Sequence, residues 1–405
     1  MWLDVVLVLV ALALLGCLLW PKLRDNELWR ATVTPLASII GSGFLVVVPL
    51  LGHAVGVFAP IAIIGVVLIA YVIGTAVRFN IKHAEELLGG DDAPRSLRWL
   101  EDASDLALSA SYVVSVAFYL SLLASFVLKG IGHESQLVGR IITTLILGLI
   151  GVSGFFKGLK LLERLEEYSV SVKLSIILAL LVGWFVYDTG HLGDVPASHI
   201  TSRDPWHLAR VLAGVLIVVQ GFETSRYLGD EYSAEKRVKT MRWAQLIAGA
   251  IYIAFLTLTL PTLKLLPDSV DETAVIDLSS AVASVLPAML VVAAVMSQFS
   301  AAVADTVGAG GLLEQSLGEK LPRGKNLGYA LVAGAGIALV WTCNIFTIVA
   351  LASRAFAIYY ALQATIAAKV AGTLDDSRHR GWVQAAFAGL AVLLVGVAVI
   401  AIPAG

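Results

Sequence analysis

A chain of 405 residues that is 58% hydrophobic and only 14% charged is not a soluble globular protein, which carries about 25% charged residues. Its formal net charge of −2 says nothing about nucleic acid, but with no long basic run and no zinc-finger spacing none is expected as a partner. Apolar runs of about 20 residues recur along the whole length, and a lipid bilayer is the partner that demands them.

The expected fold class is an all-α polytopic membrane protein, because backbone groups in hydrocarbon must be bonded within their own segment. About 12 transmembrane helices fit, at residues 3–20, 29–51, 55–77, 104–128, 137–155, 167–187, 206–230, 243–264, 276–305, 327–343, 346–369 and 383–403, numbered spans 1 to 12. Basic residues follow every odd span: Lys22, Arg24 and Arg30; Arg78, Lys82, Arg95 and Arg98; Lys157, Lys160 and Arg164; Lys236, Arg237, Lys239 and Arg242; Lys320, Arg323 and Lys325; Lys369, Arg378 and Arg380. The alternate connections are poor in Lys and Arg, apart from Lys129, Arg203 and Lys264, and carry Asp188, Asp194, Asp204, Asp268, Asp271 and Glu272. The positive-inside bias therefore puts the basic loops in the cytoplasm and both termini outside, in a bacterial cytoplasmic (inner) membrane. The longest polar connection, about Arg78 to Asp105, is too short to bury a core of its own.

Span 1 begins Met1-Trp2-Leu3-Asp4, without the basic start of a signal peptide. Cleavage near Leu14-Leu15-Gly16-Cys17 would leave Lys22 and Arg24 outside, against the charge pattern, so a retained helix is expected. Cys17 and Cys343 both fall in apolar spans, which argues against a structural disulfide and gives no metal site. Span 2 contains Pro35 and Gly41-Ser42-Gly43 near its middle. Glycine costs about 1 kcal/mol and proline about 3 in a helix interior, so a continuous rod is poorly specified there. Small residues also let membrane helices pack closely, and the motif alone fits either use.

Span 4 places Tyr112 and Tyr119 two turns apart on one face, for lining a site or for packing. In span 6, Lys173 lies deep in an apolar run, flanked by Ser169, Ser171 and Ser175, too far from the end to snorkel easily. Buried lysines have lowered pKa values and exchange protons; a fixed structural cation is the other reading. Span 7 reads Gln220-Gly221-Phe222-Glu223-Thr224-Ser225-Arg226. Intramembrane charges usually line a cavity or pair internally, and a Glu223–Arg226 ion pair at i, i+3 is the structural alternative. Span 9 carries Ser297-Gln298-Phe299-Ser300, oxygens suited to sodium or to helix packing, and then Asp305, expected near the cytoplasmic end beside a basic group. Arg354 in span 11 has no local partner and is expected to pair across the bundle.

Spans 2–6 and 7–11 form corresponding blocks of five. An odd count inverts the second block, and glycine-broken helices at matching positions of inverted halves point to a transporter's central site. The block boundaries are 1–27 for an extra N-terminal helix and short loop, 28–187 and 188–370 for the two repeats, and 371–405 for a C-terminal helix. Broken-helix ends offer N–H groups to a carboxylate and carbonyls to an ammonium group.

Three stretches resemble the amino acid–polyamine–organocation permeases, the APC superfamily. Ser38-Ile39-Ile40-Gly41-Ser42-Gly43-Phe44 is similar to that family's first-helix motif. Gly221-Phe222-Glu223, then Gly229-Asp230-Glu231 and Glu235-Lys236-Arg237, resemble its sixth helix and continuation. Gly158-Leu159-Lys160 with Val172-Lys173-Leu174 resembles its fifth helix. The resemblance implies a five-plus-five inverted-repeat (LeuT-like) fold and alternating-access secondary transport of amino acids or related amines. It implies that Ile40, Gly41, Ser42 and Gly43 contact the substrate's anionic end, and that Gln220, Gly221, Phe222 and Glu223 face its amino end and act in gating. Tyr119 is expected to line the same site. Lys173 and Ser300 are expected to take part in ion coupling, Lys173 resembling a substitute for the sodium ion that some members hold. Arg226 and Asp305 are expected to act in gating or ion pairs. No cofactor is expected beyond a coupling proton or sodium ion. The partners are a small-molecule substrate and the bilayer, and the oligomeric state is open. The chain departs from the family in its extra first helix, in stopping one helix short at its end, and in Arg226 beside the second break. A sodium or potassium transporter on the same fold stays open. A membrane sensor lacks an output domain. An intramembrane enzyme is unsupported by motif: there is no His-Glu-x-x-His, Gly-x-Ser-x-Gly or Walker A pattern.

Overall fold

Long apolar segments leave the backbone no partner but itself, and the described residues are mostly helical. The computed structural model describes residues 2–90, 93–157, 160–191, 204–267, 269–317, 324–373 and 377–403; the side chains at 42, 156–157, 160–167, 217, 314–317, 324–326 and 377–379 lie outside the description. The helices are α1 (Trp2–Leu18), α2 (Pro21–Arg24), α3 (Glu27–Gly43), α4 (Val47–Val55), α5 (Ala59–Phe79), α6 (Glu85–Leu88), α7 (Arg95–Gly130), α8 (Gln136–Lys157), α9 (Lys160–His191), α10 (Pro205–Gly214), α11 (Ala234–Leu258), α12 (Ala274–Ser280), α13 (Leu286–Leu317), α14 (Gly324–Thr342), α15 (Ile345–Ala371) and α16 (Ser377–Ile400). Among the described residues, 8 helical stretches are long and apolar enough to cross a bilayer, joined by shorter apolar helices at Trp2–Leu18 and Leu327–Thr342.

All twelve predicted spans have counterparts, and the differences are local. Spans 2 and 7 are both interrupted. Span 2 is α3 plus α4, joined through a turn at 44–46. Gly41-Ser42-Gly43 itself stays helical, so the interruption falls just after the glycines rather than on them. Span 7 is α10, a 3₁₀ turn at Leu216–Val219, the pair Gln220–Gly221, and a second 3₁₀ segment at Phe222–Leu228. Two basic loops are helical as well. Lys236, Arg237, Lys239 and Arg242 belong to α11, whose Ser233 side chain caps it by accepting from the Lys236 N–H. Arg95 and Arg98 open α7. Span 9 divides into the short α12 and the long α13. The predicted loop charges Asp194, Arg203, Asp268, Lys320 and Arg323, and the pair Gly158-Leu159, lie outside the described residues.

Helix α7 runs through the centre, packed on α13, α15 and α8. Its buried face carries Tyr112, Ser115, Phe118, Tyr119 and Leu122. Apolar side chains on α5 (Ile61, Leu68, Val72), α8 (Leu145, Leu149, Val152) and α16 (Val392, Val395, Val399) are exposed, the surface that a bilayer would cover. Helix α1 packs along α9, with Leu7 fully buried against Gly183. Its Asp4 carboxylate accepts from Ser284 Oγ at 2.9 Å and Val285 N at 3.0 Å, which ties α1 to the start of α13. Gly56, at φ +55°, ends α4 and lets it pack against α5. Arg354 does not pair across the bundle; its Nε donates to the Ala401 carbonyl at 2.9 Å, just beyond the end of the neighbouring α16. Arg210 Nε donates to Ile400 O at 3.2 Å, so guanidinium groups satisfy two of the last carbonyls of that helix.

The two interrupted helices cross backbone to backbone, and a glycine sits at each contact. A Cβ on Gly43 would stand 2.6 Å from Val218 Cα. A Cβ on Gly221 would stand 2.6 Å from the Ser38 carbonyl carbon and 2.7 Å from Ile39 N. Gly221 also has φ +117°, a backbone region that L-residues rarely adopt. A left-handed backbone costs an L-residue about 1–2 kcal/mol, and overpacking adds about 1–3 kcal/mol. Gly221→Ala should therefore melt about 5 °C or more below the parent protein. Gly65→Ala in α5, where a Cβ meets nothing within 4 Å, should melt at or slightly above it. Indistinguishable melting curves for the two variants in one detergent would remove the crossing as a constraint.

Candidate substrate site at the helix breaks

After Gly43 the α-helical ladder stops. Gly43 O takes the Val46 N–H at 3.2 Å in a tighter turn. Gly41 O accepts instead from Gln298 Nε2 of α13 at 3.2 Å. Lys173 Nζ, fully buried on α9, donates to Ala37 O at 2.8 Å. Gly41 leaves room beside this ammonium group: a Cβ there would stand 3.5 Å from Lys173 Nζ and 3.7 Å from Ser297 Oγ. Helix α4 begins with no side-chain cap, so its first N–H groups, at Val47 and Val48, point back toward the break.

The second break supplies the opposite polarity. Glu223, completely buried, accepts on Oε2 from Gly221 N at 3.0 Å and from Tyr360 OH at 2.6 Å. Its Oε1 has no partner among the described residues, and neither has Tyr359 OH. Phe222 stacks on Tyr360 at 5.1 Å between ring centres. Gln220 Nε2 donates to Tyr119 OH at 3.2 Å. One hydroxyl ties the two breaks together: Tyr252 OH of α11 lies 2.6 Å from Val218 O and 3.0 Å from Ile39 O, within bonding distance of both.

The residues singled out from sequence thus separate into two groups. Gln220, Gly221, Phe222, Glu223 and Tyr119 gather around the second break. Gly41, Lys173, Ser297 and Gln298 gather around the first. Ser300 is buried one turn along α13 from Ser297, and Ile40 is buried in α3. The side chain of Ser42 lies outside the described residues. Gly43 serves the crossing. Tyr112 packs against Gly308 and Phe356. Asp305 is buried rather than at a solvated helix end, and Ser115 of α7 donates to it. Sequence reasoning missed Tyr252 and Tyr360. Each stands in an apolar helical run, where a tyrosine is read first as packing or as an interface anchor.

The Glu223–Arg226 ion pair does not form. Arg226 turns to the end of the bundle that carries the basic clusters, where its Nη2 lies 2.7 Å from Glu101 Oε1 and its Nε 3.7 Å from Glu85 Oε1. Arg237 shares Glu85, with contacts at 2.5 Å and 3.0 Å, and donates to the Arg226 carbonyl at 3.0 Å. Lys236 pairs with Glu27 at the start of α3. Charge contacts from α3, α6, α7, α11 and the second broken helix therefore close this end. Gln363, hydrogen-bonded to Asn80 and Ser104, adds α15 at the same end.

Two interrupted helices crossing in the middle of an apolar bundle, with backbone groups and buried charges turned inward, define a membrane transporter. Residues 21–401 match a family of APC superfamily transporters. A protein of Aquifex aeolicus (strain VF5), described as an uncharacterized protein, is 45% identical over 351 residues, covering 86% of this chain and 85% of its own. The manganese transporter of Eremococcus coleocola, solved with an aromatic bis-isothiourea substituted compound, shares the fold at a TM-score of 0.59 and 14% identity, over 92% of this chain and 85% of that one. A mutant of that transporter superposes with a TM-score of 0.57 at 14% identity, over 92% and 87%. The chain belongs to the APC superfamily of transporters.

Two outcomes test this geometry. Tyr252→Phe removes the hydroxyl shared by Ile39 O and Val218 O, and should lower stability by about 1–3 kcal/mol, the usual cost of an unsatisfied buried polar group; an unchanged melting temperature would dissolve the bridge. Losing one partner of a buried pair costs about 3–5 kcal/mol. Glu101→Gln and Arg226→Gln should therefore each destabilise strongly, while the double variant recovers much of the loss. Strict additivity in that double-mutant cycle would show that the pair is not coupled.

Proposed function

We propose that this transporter is a secondary active carrier that moves amino acids or related small amines across the bacterial cytoplasmic membrane by alternating access, coupled to protons. The observation that carries the reading is the opposed polarity of the two breaks. The uncapped start of α4 offers N–H groups to a carboxylate. Across the crossing, Glu223 Oε1 is a buried acceptor, unpartnered among the described residues and open to an ammonium group, with Gln220, Tyr119 and Phe222 close by at the second break. A zwitterion satisfies both ends at once. The two repeats, 28–187 and 188–370, would be inverted about the crossing, with both termini outside and the closed, basic end of the bundle in the cytoplasm.

The structural likeness to a manganese transporter raises metal transport as a rival. A first-row metal ion wants carboxylate, imidazole or sulfur ligands. Among the described residues no group of three or more His, Cys, Asp or Glu side chains converges on a point that could hold one. Helix α3 brings only Ile40, glycine and Ser42 to its break. A monovalent cation is the stronger second reading, because Gln298 Oε1, beside Gly41, also lacks a partner among the described residues.

Lys173 is the proposed coupling residue. Its ammonium group lies between α3, α9 and α13, and loss of its proton would weaken the hold on Ala37 O. In proteoliposomes, counterflow of a labelled amino acid or amine should exceed that of sodium or potassium. Lys173→Ala should abolish uptake driven by a pH gradient and keep counterflow. Gradient-driven uptake at the parent rate in a well-folded Lys173→Ala preparation would eliminate the proton-coupling proposal, and counterflow of monovalent cations alone would favour the second reading.

A further inference from the structure

At the end of the bundle opposite the basic clusters lies a cleft of about 510 Å³, walled by α7, α8, the segment before α12 and the junction of α14 with α15. It is separate from the crossing. On α7 it is lined by Ser121, Ser125 and Leu128, whereas Tyr112, Ser115 and Tyr119 serve the central cluster. At 3.6 residues per turn, Ser121 lies roughly 200° around α7 from Tyr119, so the helix itself stands between the two places.

The cleft carries both charges. Lys129 is already held by Glu134 at 2.6 Å and Asp277 at 3.1 Å, with Asp271 at 3.9 Å. Arg140 is half-buried on α8, and its guanidinium makes no hydrogen bond or ion pair among the described residues. Across from it α15 begins: Asn344 Oδ1 caps Thr347 N at 2.8 Å, and the preceding N–H groups, at Ile345 and Phe346, stay uncommitted among the described residues. A free guanidinium and an open helix start in one cleft suit a carboxylate. On the wall before α12, Glu272 accepts from Ser125 Oγ at 2.8 Å. Burial pushes its carboxyl above the usual carboxylate range, and the charge of a bound cation would offset that cost.

We propose that this cleft is a second solute site, which binds a free amino acid with its carboxylate on Arg140 and the start of α15 and its ammonium group toward Glu272 and Asp271. The proposal rests on the amino acid reading of the central site and gives that solute a place outside the transport path. The ligand spans the peripheral α8 and the α15 that carries Tyr360 to the central site.

The test is equilibrium binding to the full-length protein in detergent. Each of the common L-amino acids is screened by thermal shift, and the strongest binder is then used in radiolabelled form. Saturation should reach two molecules per chain for the parent. Arg140→Gln should bind one fewer, and Arg140→Lys should keep the second molecule at least tenfold more weakly. Glu223→Gln should affect only the other molecule. Acetate and methylammonium, the two halves of the ligand, should each compete poorly at the Arg140 site. Equal stoichiometry in the parent and Arg140→Gln, or displacement by acetate as effective as by the amino acid, overturns the second site while leaving the transport reading standing. Failure of every amino acid to bind either place overturns both.

Discussion

The close approach of two backbones at Gly43 and Gly221 is the contact on which the centre of this protein depends. Each glycine faces main-chain atoms of the other interrupted helix, so neither contact can be relieved by rotating a side chain. With the crossing fixed, the peptide groups around it cannot all bond along their own helices. In an apolar interior they must find partners elsewhere, since each one left bare costs several kcal/mol. Side chains of neighbouring helices supply those partners: Tyr252 from α11, Gln298 from α13 and Lys173 from α9.

That arrangement explains why the buried polar groups concentrate where they do. Ser353 of α15 donates to Gly214 O at 2.6 Å, where α10 ends and the 3₁₀ geometry begins. Gly221 N, in a left-handed turn, takes the carboxylate of Glu223 two residues on. The first break is held by groups from three other helices. The second is held partly by its own side chains and partly by α7, α11 and α15. Among the described residues, two buried acceptors near the crossing are left without a partner, Glu223 Oε1 at the second break and Gln298 Oε1 beside Gly41 of the first. Both have capacity to bind something that is not protein.

Much of this was legible in the sequence, and the limits have physical causes. The spans were readable because hydrocarbon imposes length and apolarity together. The two interruptions were readable because Gly41-Ser42-Gly43 and Gln220-Gly221 violate helix preference inside apolar runs. Their exact form was not. The three adjacent small residues stayed helical, with Gly41 packed toward Ala301 and Gly43 toward Val218, and the turn fell on Phe44–Val46, whose side chains gave no warning. The partner of Arg226 was misjudged for a related reason. Local spacing favours Glu223, but two carboxylates contributed from 125 and 141 positions away in sequence, Glu101 and Glu85, hold the guanidinium instead. Lys173 was placed correctly in depth by the length of its apolar run. Its acceptor, a backbone carbonyl of another helix, carries no sequence signal at all.

Glu223 and Arg226 share a 3₁₀ segment, and that geometry links the centre of the protein to its closed end. With three residues per turn and about 2 Å of rise, positions i and i+3 stack on one side about 6 Å apart. Glu223 at the upper position is held by Tyr360 and by the Gly221 turn. Arg226 at the lower position is held by Glu101. In the proposed cycle, a solute whose ammonium group draws on the Glu223 carboxylate would strain the same short turn that carries Arg226. The pair at Glu101 is buried, and a partner lost there is not replaced cheaply by water. Arg237 responds with it, because it shares Glu85 and donates to the Arg226 carbonyl. In the proposed cycle the cation that looked out of place beside the second break is thus the element that lets an occupied centre loosen the end of the bundle that is closed here.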